Sequence, residues 1–376
     1  MMKFIIIDIS GQVNAGLGDP ATVLTVGSYQ QFPRSRVHIS KFETFHRQCC
    51  YFKGRDRVIS SDIQRTMSVK VLDGGLGTEL EYTGVVSIED ELWSARPLIT
   101  GPHLIKNVHK SFLESGADIL TTATYQASIQ GFDESISLSR EGALELFALA
   151  TRIAVEAVEE FWAENKDKDP GRQKPVVAGS LGPYGASQHN FSEYSGVYAD
   201  TKTKEELKEW HRPHLEALVR SGVELIAIET IPCQIEAEAL VELLKEFPDT
   251  KAWLSYSVKD NQYIWHGETF VDGVRAVVDS EQIVAVGCNC CNPSNVASLL
   301  ERAKSVVGDK PFVVYPDKRK EFFDGRKLGE YQVPDLERLV TSWIELGARY
   351  VGGCCHTRPE DVRKIAEVVR KYNSSH

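Results

Sequence analysis

From Met67 onward, short apolar runs alternate with longer segments in which apolar residues recur every three or four positions. The runs predict eight strands. They are "VKVLDG" (69–74), "ADILTTATY" (117–125), "PVVAGSLG" (175–182), "VELIAIETI" (223–231), "AWLSYSV" (252–258), "IVAVGCNC" (283–290), "FVVYPD" (312–317) and "RYVGGCC" (349–355). Several are continuous rather than alternating, the pattern of strands buried on both faces of a parallel sheet. The segments between them predict helices over 139–163, 203–221, 234–246, 294–306 and 334–346. A last helix follows Thr357, with Glu360 three residues on as a capping box ahead of Val362, Ile365, Val368 and Val369. Eight strand-helix units predict an α/β fold of the (β/α)8 TIM-barrel type over residues 67–376. The alternative, a doubly wound open sheet, lacks its G-x-G-x-x-G fingerprint after the first strand.

Residues 1–66 break this pattern. Apart from "FIIIDI" they show little periodicity, and nine basic residues against five acidic ones give them a net charge of +4 while the remainder carries -14. We expect an amino-terminal extension, disordered or loosely packed, with folding starting near Met67; its acids and the lack of an Arg-rich amphipathic face argue against a transit peptide. The whole chain is 42% hydrophobic and 26% charged, with net charge -10. Scattered Lys and Arg on an acidic chain argue against nucleic acid, and no apolar run approaches the ~20 residues that span a bilayer. A cytoplasmic protein is expected, of undetermined oligomeric state.

Seven of the eight cysteines are clustered, at 49/50, 288/290/291 and 354/355, leaving Cys233 alone. Clustering in a large chain reads as a reducing compartment with a metal or catalytic site. Cys354 and Cys355 are poor disulfide partners, since adjacent Cα atoms lie ~3.8 Å apart and a disulfide wants ~4.4–6.8 Å. In a barrel, residues at the carboxyl ends of strands converge on one mouth. That rule gathers Asp73, Gly74 and Gly75 with Tyr125 and Gln126, Glu229 and Thr230, Asn289 and Cys290, and Cys354 and Cys355. Three converging thiolates, Cys290, Cys354 and Cys355, make a zinc site with one open position, one Zn2+ per chain, and Gly352 and Gly353 give the pair freedom to turn. Strand alternation sends Cys288 to the face of Cys290 and turns Cys291 away. With a net charge of -1, such a centre is a poor activator of water but a good host for one more sulfur, which it would hold as a nucleophilic thiolate.

"VLDGGLGTELE", "TTATYQAS", "GSLGPYGA", "AIETIP", "GCNCCNP" and "GGCCHT", in this order, resemble the homocysteine S-methyltransferases that use S-methylmethionine or S-adenosylmethionine. The resemblance runs from Val69 into the last helix. It implies an enzyme that methylates L-homocysteine to methionine on a zinc barrel, with Cys290, Cys354 and Cys355 as ligands. Asp73 and Glu229 would then anchor the homocysteine ammonium, as two carboxylates can; the structural alternative is a turn tie for Asp73 and an Arg partner for Glu229. Gly74 and Gly75 would let substrate approach the backbone. By likeness to the betaine-using branch, Trp93 and Tyr125 would offer aromatic faces to the cationic donor, with Tyr184 a weaker third. Betaine as donor is the nearest alternative, and a zinc barrel that binds thiols without turnover is the alternative of another class. No length remains for cobalamin modules.

Overall fold

Eight parallel strands form one sheet: β1 (Lys70–Val71), β2 (Ile119–Thr121), β3 (Val176–Leu181), β4 (Leu225–Ile231), β5 (Ala252–Ser257), β6 (Ile283–Asn289), β7 (Phe312–Tyr315) and β8 (Ala348–Val351). Their spatial order is β1-β8-β7-β6-β5-β4-β3-β2, and a parallel bridge between Leu72 and Ile119 joins the two ends. The fold is the (β/α)8 barrel expected from the apolar runs. This computed structural model describes residues 68–84, 86–169, 171–318 and 336–375. The expected extension over 1–66, with Cys49 and Cys50, lies outside them.

Among the described residues, eleven α-helices accompany the strands: α1 (Leu76–Tyr82), α2 (Pro97–Thr100), α3 (Pro102–Glu114), α4 (Ile129–Ile136), α5 (Arg140–Asn165), α6 (Lys204–Ser221), α7 (Gln234–Leu244), α8 (Phe270–Val277), α9 (Pro293–Val307), α10 (Leu336–Glu345) and α11 (Pro359–Ser375). Their starts follow local chemistry. Thr203 and Glu206 form a complete capping box on α6, and Pro occupies the first position of α2, α3 and α9, where its missing N–H costs nothing. The box expected at Thr357 and Glu360 is displaced. Instead α11 begins at Pro359, Asp361 accepts the Arg358 N–H at 3.1 Å, and Thr357 packs against Gly353. No helix among the described residues is long and apolar enough to cross a membrane.

The core has two layers. Inside the barrel, Leu72, Ile119, Leu225, Ala227, Trp253 and Val313 fill the lumen, and the Trp253 indole donates to the Tyr315 hydroxyl at 3.0 Å. Outside it, Ile226, Ile228, Val286 and Val314 pack against the helices, so β4 is buried on both faces along its whole length. Packed side chains make the barrel a solid support, and the polar residues collect at its carboxyl end.

Two buried histidines make this core acid-sensitive. Burial lowers His109 to about 4 and His214 to about 3; both His109 ring nitrogens lack a hydrogen-bond partner, while His214 Nε2 accepts the Ile129 N–H at 3.2 Å. The unfolded imidazoles titrate near ~6.5 and therefore bind more protons than the folded ones below that pH. Their contribution is complete above ~6.5 and is lost as the pH falls toward the folded values. We expect His109→Leu to remove about 2 kcal/mol of the stability difference between pH 7 and pH 5, read from urea unfolding at the two pH values. An unchanged difference would show that His109 takes up its proton over the same pH range in the fold as in the unfolded chain.

Candidate functional site

The strand ends at the mouth leave regular geometry. Asn289 points into the barrel and Cys288 outward to the helix-facing core, so simple alternation would send Cys290 outward as well. It does not, because Cys290 adopts a left-handed backbone (φ 47°) that swings its sulfur into the mouth. The expectation that Cys288 and Cys290 share a face is thus corrected. Cys291 does turn away, with Cys288 as a neighbour whose hydrogen bond is the largest cause raising its pKa. Thr230 (φ 63°) after Glu229 and His356 (φ 61°) after the cysteine pair are also left-handed, a conformation kept in non-glycine residues only when the surroundings enforce it.

On β8's side, the chain leaves the strand at Gly352, and the Cys354 N–H is held by the Pro316 carbonyl at 2.8 Å. A Cβ on Gly353 would lie 2.1 Å from the Thr357 methyl, and one on Gly75 would lie 2.7 Å from the Cys354 carbonyl oxygen. Gly74 is similarly closed by the Thr357 carbonyl, at 2.4 Å. These glycines therefore serve the close packing of the β1 end against the cysteine turn.

The Sγ atoms of Cys290, Cys354 and Cys355 all lie within 4.8 Å of one another. Cys290 and Cys355 are 3.6 Å apart, while Cys290 and Cys354 are joined as a disulfide with Cα atoms 5.4 Å apart. Tetrahedral zinc with Zn–S bonds of ~2.3 Å holds its sulfurs about 3.8 Å apart, so the reduced set fits such an ion. Three soft donors, two buried and one half-buried, favour zinc over a hard cation.

Below the sulfurs lies a polar network. The Asn289 side chain accepts from the Thr230 N–H (2.8 Å) and Ser255 hydroxyl (2.9 Å), and donates to Thr230 Oγ1 (2.7 Å) and weakly to Cys354 Sγ (3.9 Å). Ser255 also meets the Tyr315 hydroxyl at 2.5 Å, and Tyr315 together with Ser180 bonds the Glu229 carboxyl. These hydroxyl partners stand where the structural alternative expected an arginine. Asp73 is tied to β2 through the Thr121 N–H (2.7 Å) and hydroxyl (3.1 Å). Burial raises Asp73 to about 8, with the Glu229 charge adding to it, and raises Glu229 to about 7. The two acids thus share one poorly solvated space and hold protons near neutrality, a state that a ligand ammonium would relieve.

Aromatic residues wall the mouth. Trp93, half-buried with φ 33°, packs with Tyr194, Trp265 and the three cysteines in one cluster. The Tyr194 hydroxyl donates to Cys290 Sγ at 3.4 Å, and its ring meets Trp265 edge-on at 6.3 Å. Tyr125 stays neutral, raised first by burial and then by the Glu193 and Tyr194 charges, with Glu229 also in reach. Tyr184 is elsewhere: it meets Tyr198 and Trp210 edge-on, both at 5.2 Å, and packs with Tyr198 in a separate cluster. Tyr194, Glu193 and Trp265 were not singled out from the sequence. They sit in non-periodic stretches, "FSEYSG" and "YIWHGE", whose only visible signal is two aromatics and a carboxylate.

The chain matches the homocysteine S-methyltransferase family over residues 70–369. The homocysteine S-methyltransferase YbgG of Bacillus subtilis is 40% identical over 312 residues, covering 82% of this chain and 97% of that one. Homocysteine S-methyltransferase 2 of Zea mays is 42% identical over 308 residues, 80% and 90% of the respective chains. Among solved structures, the metallated form of the homocysteine methyltransferase MmuM from Escherichia coli superposes with a TM-score of 0.72 at 33% identity, covering 83% and 99%.

The loop that delivers Tyr194 is pinned at both ends by Glu236 in the first turn of α7. This fully buried carboxyl accepts the Tyr184 N–H (2.6 Å) and Tyr198 hydroxyl (2.5 Å), and bonds His211 Nε2 (2.8 Å). Glu236→Ala leaves two buried groups and one half-buried group without that partner, and its expected cost is about 3–5 kcal/mol in urea unfolding. Tyr198→Phe removes one bond and should cost about 1–3 kcal/mol. Equal costs would mean that the three bonds do not act through one carboxyl.

Proposed function

This chain belongs to the homocysteine S-methyltransferase family, and from that premise we propose that it transfers a methyl group from a sulfonium donor, S-methylmethionine or S-adenosylmethionine, to the sulfur of L-homocysteine in a zinc-dependent reaction. The observation that carries the reading is the meeting, at one barrel mouth, of three cysteine sulfurs within 4.8 Å and two buried carboxylates, Asp73 and Glu229. A sulfur donor set and an ammonium receptor side by side match the two ends of a thiol amino acid. Held by Cys290, Cys354 and Cys355, zinc would keep the homocysteine sulfur deprotonated and nucleophilic at neutral pH.

The chain's own residues do the rest. Asp73 and Glu229 take the ammonium, and their spacing from the cysteines sets where the sulfur lies. Asn289 orients Cys354 through its amide. Trp93 and Tyr125 present ring faces to the donor cation, each contact worth ~0.5–2 kcal/mol. In the transfer, a sulfur–methyl bond forms to homocysteine as the donor's bond to the same methyl breaks. The bonding pair returns to the donor sulfur, which leaves as a neutral thioether, and the thiol proton goes to solvent. The thiols must stay reduced for this, which suits the cytoplasm.

The test is methionine formation by the reduced, zinc-loaded protein from homocysteine with S-methylmethionine as sole donor and betaine in parallel. We expect product with S-methylmethionine and its loss on chelation, with Cys290→Ser abolishing zinc retention on dialysis. Product with betaine alone would overturn the donor assignment; tight homocysteine binding without product from either donor would favour a thiol-binding barrel.

The buried acids give a second expectation. An ammonium needs ionised partners, and groups raised to about 7 and about 8 gain protons as the pH falls. Homocysteine KM should therefore rise from pH 8 to pH 6, less steeply in Glu229→Gln, while Asp73→Asn raises it about 10- to 100-fold at pH 8. Wild-type KM in Asp73→Asn would remove that residue from the ammonium site.

A further inference from the structure

The barrel lumen carries a run of hydrogen bonds that ends at one of the three cysteines. Trp253, Tyr315, Ser255 and Asn289 are all buried, three of them completely. Their hydrogens can be placed by counting. A backbone N–H only donates, so the 2.8 Å contact with the Thr230 N–H fixes Oδ1 as the Asn289 atom that faces β4. The same oxygen carries no hydrogen and lies 2.9 Å from the Ser255 hydroxyl, so Ser255 is the donor there. The Ile228 carbonyl, at 3.4 Å, takes at most a share of that hydrogen. Ser255 has no second one to give. The 2.5 Å contact between Ser255 and Tyr315 is therefore closed by the Tyr315 hydrogen. The Trp253 indole, a donor only, takes one Tyr315 lone pair at 3.0 Å. The other lone pair is left for the Glu229 carboxyl, which holds a proton near neutrality. Every donor in the run thus points from Trp253 toward the cysteines. At its end stands the Asn289 amide nitrogen. One of its hydrogens goes to Thr230 Oγ1 (2.7 Å), and the acceptor of the other is Cys354 Sγ (3.9 Å). Among the described residues no oxygen takes that second hydrogen, so a fully buried N–H is satisfied by sulfur or not at all.

Resting on the zinc reading above, we propose that Ser255, Tyr315 and Trp253 are positioning residues of the metal centre: they hold the Asn289 amide N–H on the Cys354 sulfur, where it offsets part of the thiolate charge. The need follows from the charges. Three thiolates leave a divalent ion anionic, and a substrate thiolate adds to that, in a mouth that also holds two buried acids. Such a charge, shielded from water, has to be balanced by fixed dipoles. Cys290 has one in the Tyr194 hydroxyl at 3.4 Å, and Cys354 has the Asn289 amide. Hydrogen bonds that run in one direction polarise one another, so the amide at the end of the run is a stronger donor than an isolated one. The structural alternative is that Asn289 only ties β6 to β4 and β5.

The test reads the metal rather than turnover. Zn2+ affinity of the reduced protein is measured against a chromophoric chelator, and Co2+ in the same site reports on the sulfur electrons through its thiolate-to-metal charge-transfer band. Asn289→Asp keeps the oxygen that serves Thr230 and Ser255 and puts a second oxygen in place of the amide hydrogens. It should lower Zn2+ affinity about 10-fold or more. The band should move to longer wavelength, because a sulfur without its donor gives up electron density more easily. Ser255→Ala, which leaves Asn289 in place, should lower Zn2+ affinity about 3-fold or more and move the band the same way by less. Thr230→Val removes the acceptor of the other amide hydrogen. It should weaken the metal-free protein in urea, yet leave Zn2+ affinity within about 2-fold of wild type and the band unmoved. Unchanged or tighter Zn2+ binding in Asn289→Asp, or an unmoved band, would overturn the proposal. So would Zn2+ losses that merely follow the urea stability of the metal-free variants, Thr230→Val included, which would leave Asn289 as a strand tie. If Asn289→Asp does not fold, Ser255→Ala decides by the same two readouts. Wild type that retains neither ion would sink the zinc reading itself; wild type that binds both, with variants that match it, sinks only this proposal.

Discussion

Everything at the mouth depends on bringing three sulfur atoms from two strand ends to one point. The pleat of a β-strand opposes this, because it would turn Cys290 to the helix side with Cys288. A single left-handed residue resolves the conflict, at a cost of roughly 1–2 kcal/mol. The surrounding structure offsets that cost: the Cys290 N–H is held by the Tyr315 carbonyl at 3.2 Å, and the Asn289 side chain before it bonds Thr230 on β4 and Ser255 on β5. The opposite wall meets the same demand with glycine. Gly353 and Gly75 remove side chains where β1 and the cysteine turn come into backbone contact.

The same barrel wall links the buried acids to the cysteines. From Glu229 the hydroxyls of Tyr315 and Ser255 lead to Asn289 and on to Cys354. The short side chain of homocysteine limits the reach between its ammonium and its sulfur, so the site proposed for both gains from a rigid spacing. A network of buried, mutually satisfied groups supplies it better than surface side chains would. Burial also sets the electrostatics. Desolvation is the largest cause raising both Asp73 and Glu229 toward neutrality, and the Glu229 charge adds to the rise of Asp73, so a cation beside them would favour their charged forms.

The aromatic side of the mouth is built differently. Tyr194 and Trp265 come from loops rather than strand ends, and a loop needs anchors to place an aromatic ring with any precision. Glu236 anchors one loop at Tyr184 and Tyr198, and Trp265 sits where its backbone N–H meets the Ser257 carbonyl at 3.3 Å.

By itself the sequence determined the barrel, the identities of the three cysteines and the convergence of Asp73 and Glu229 with them. Those follow from local rules: buried parallel strands read as apolar runs, and strand ends of a barrel meet at one mouth. It also carried the resemblance that the family match bears out. Only the tertiary structure decided the direction of Cys290, the packing role of the glycines, the hydroxyl partners of Glu229 and the packing of Tyr194 and Trp265 against the cysteines. The physical reason is that φ at a strand end and the course of a long loop are set by what packs against them. In this chain those partners lie tens to hundreds of residues away, as Thr357 does from Gly75 and Ser257 from Glu193.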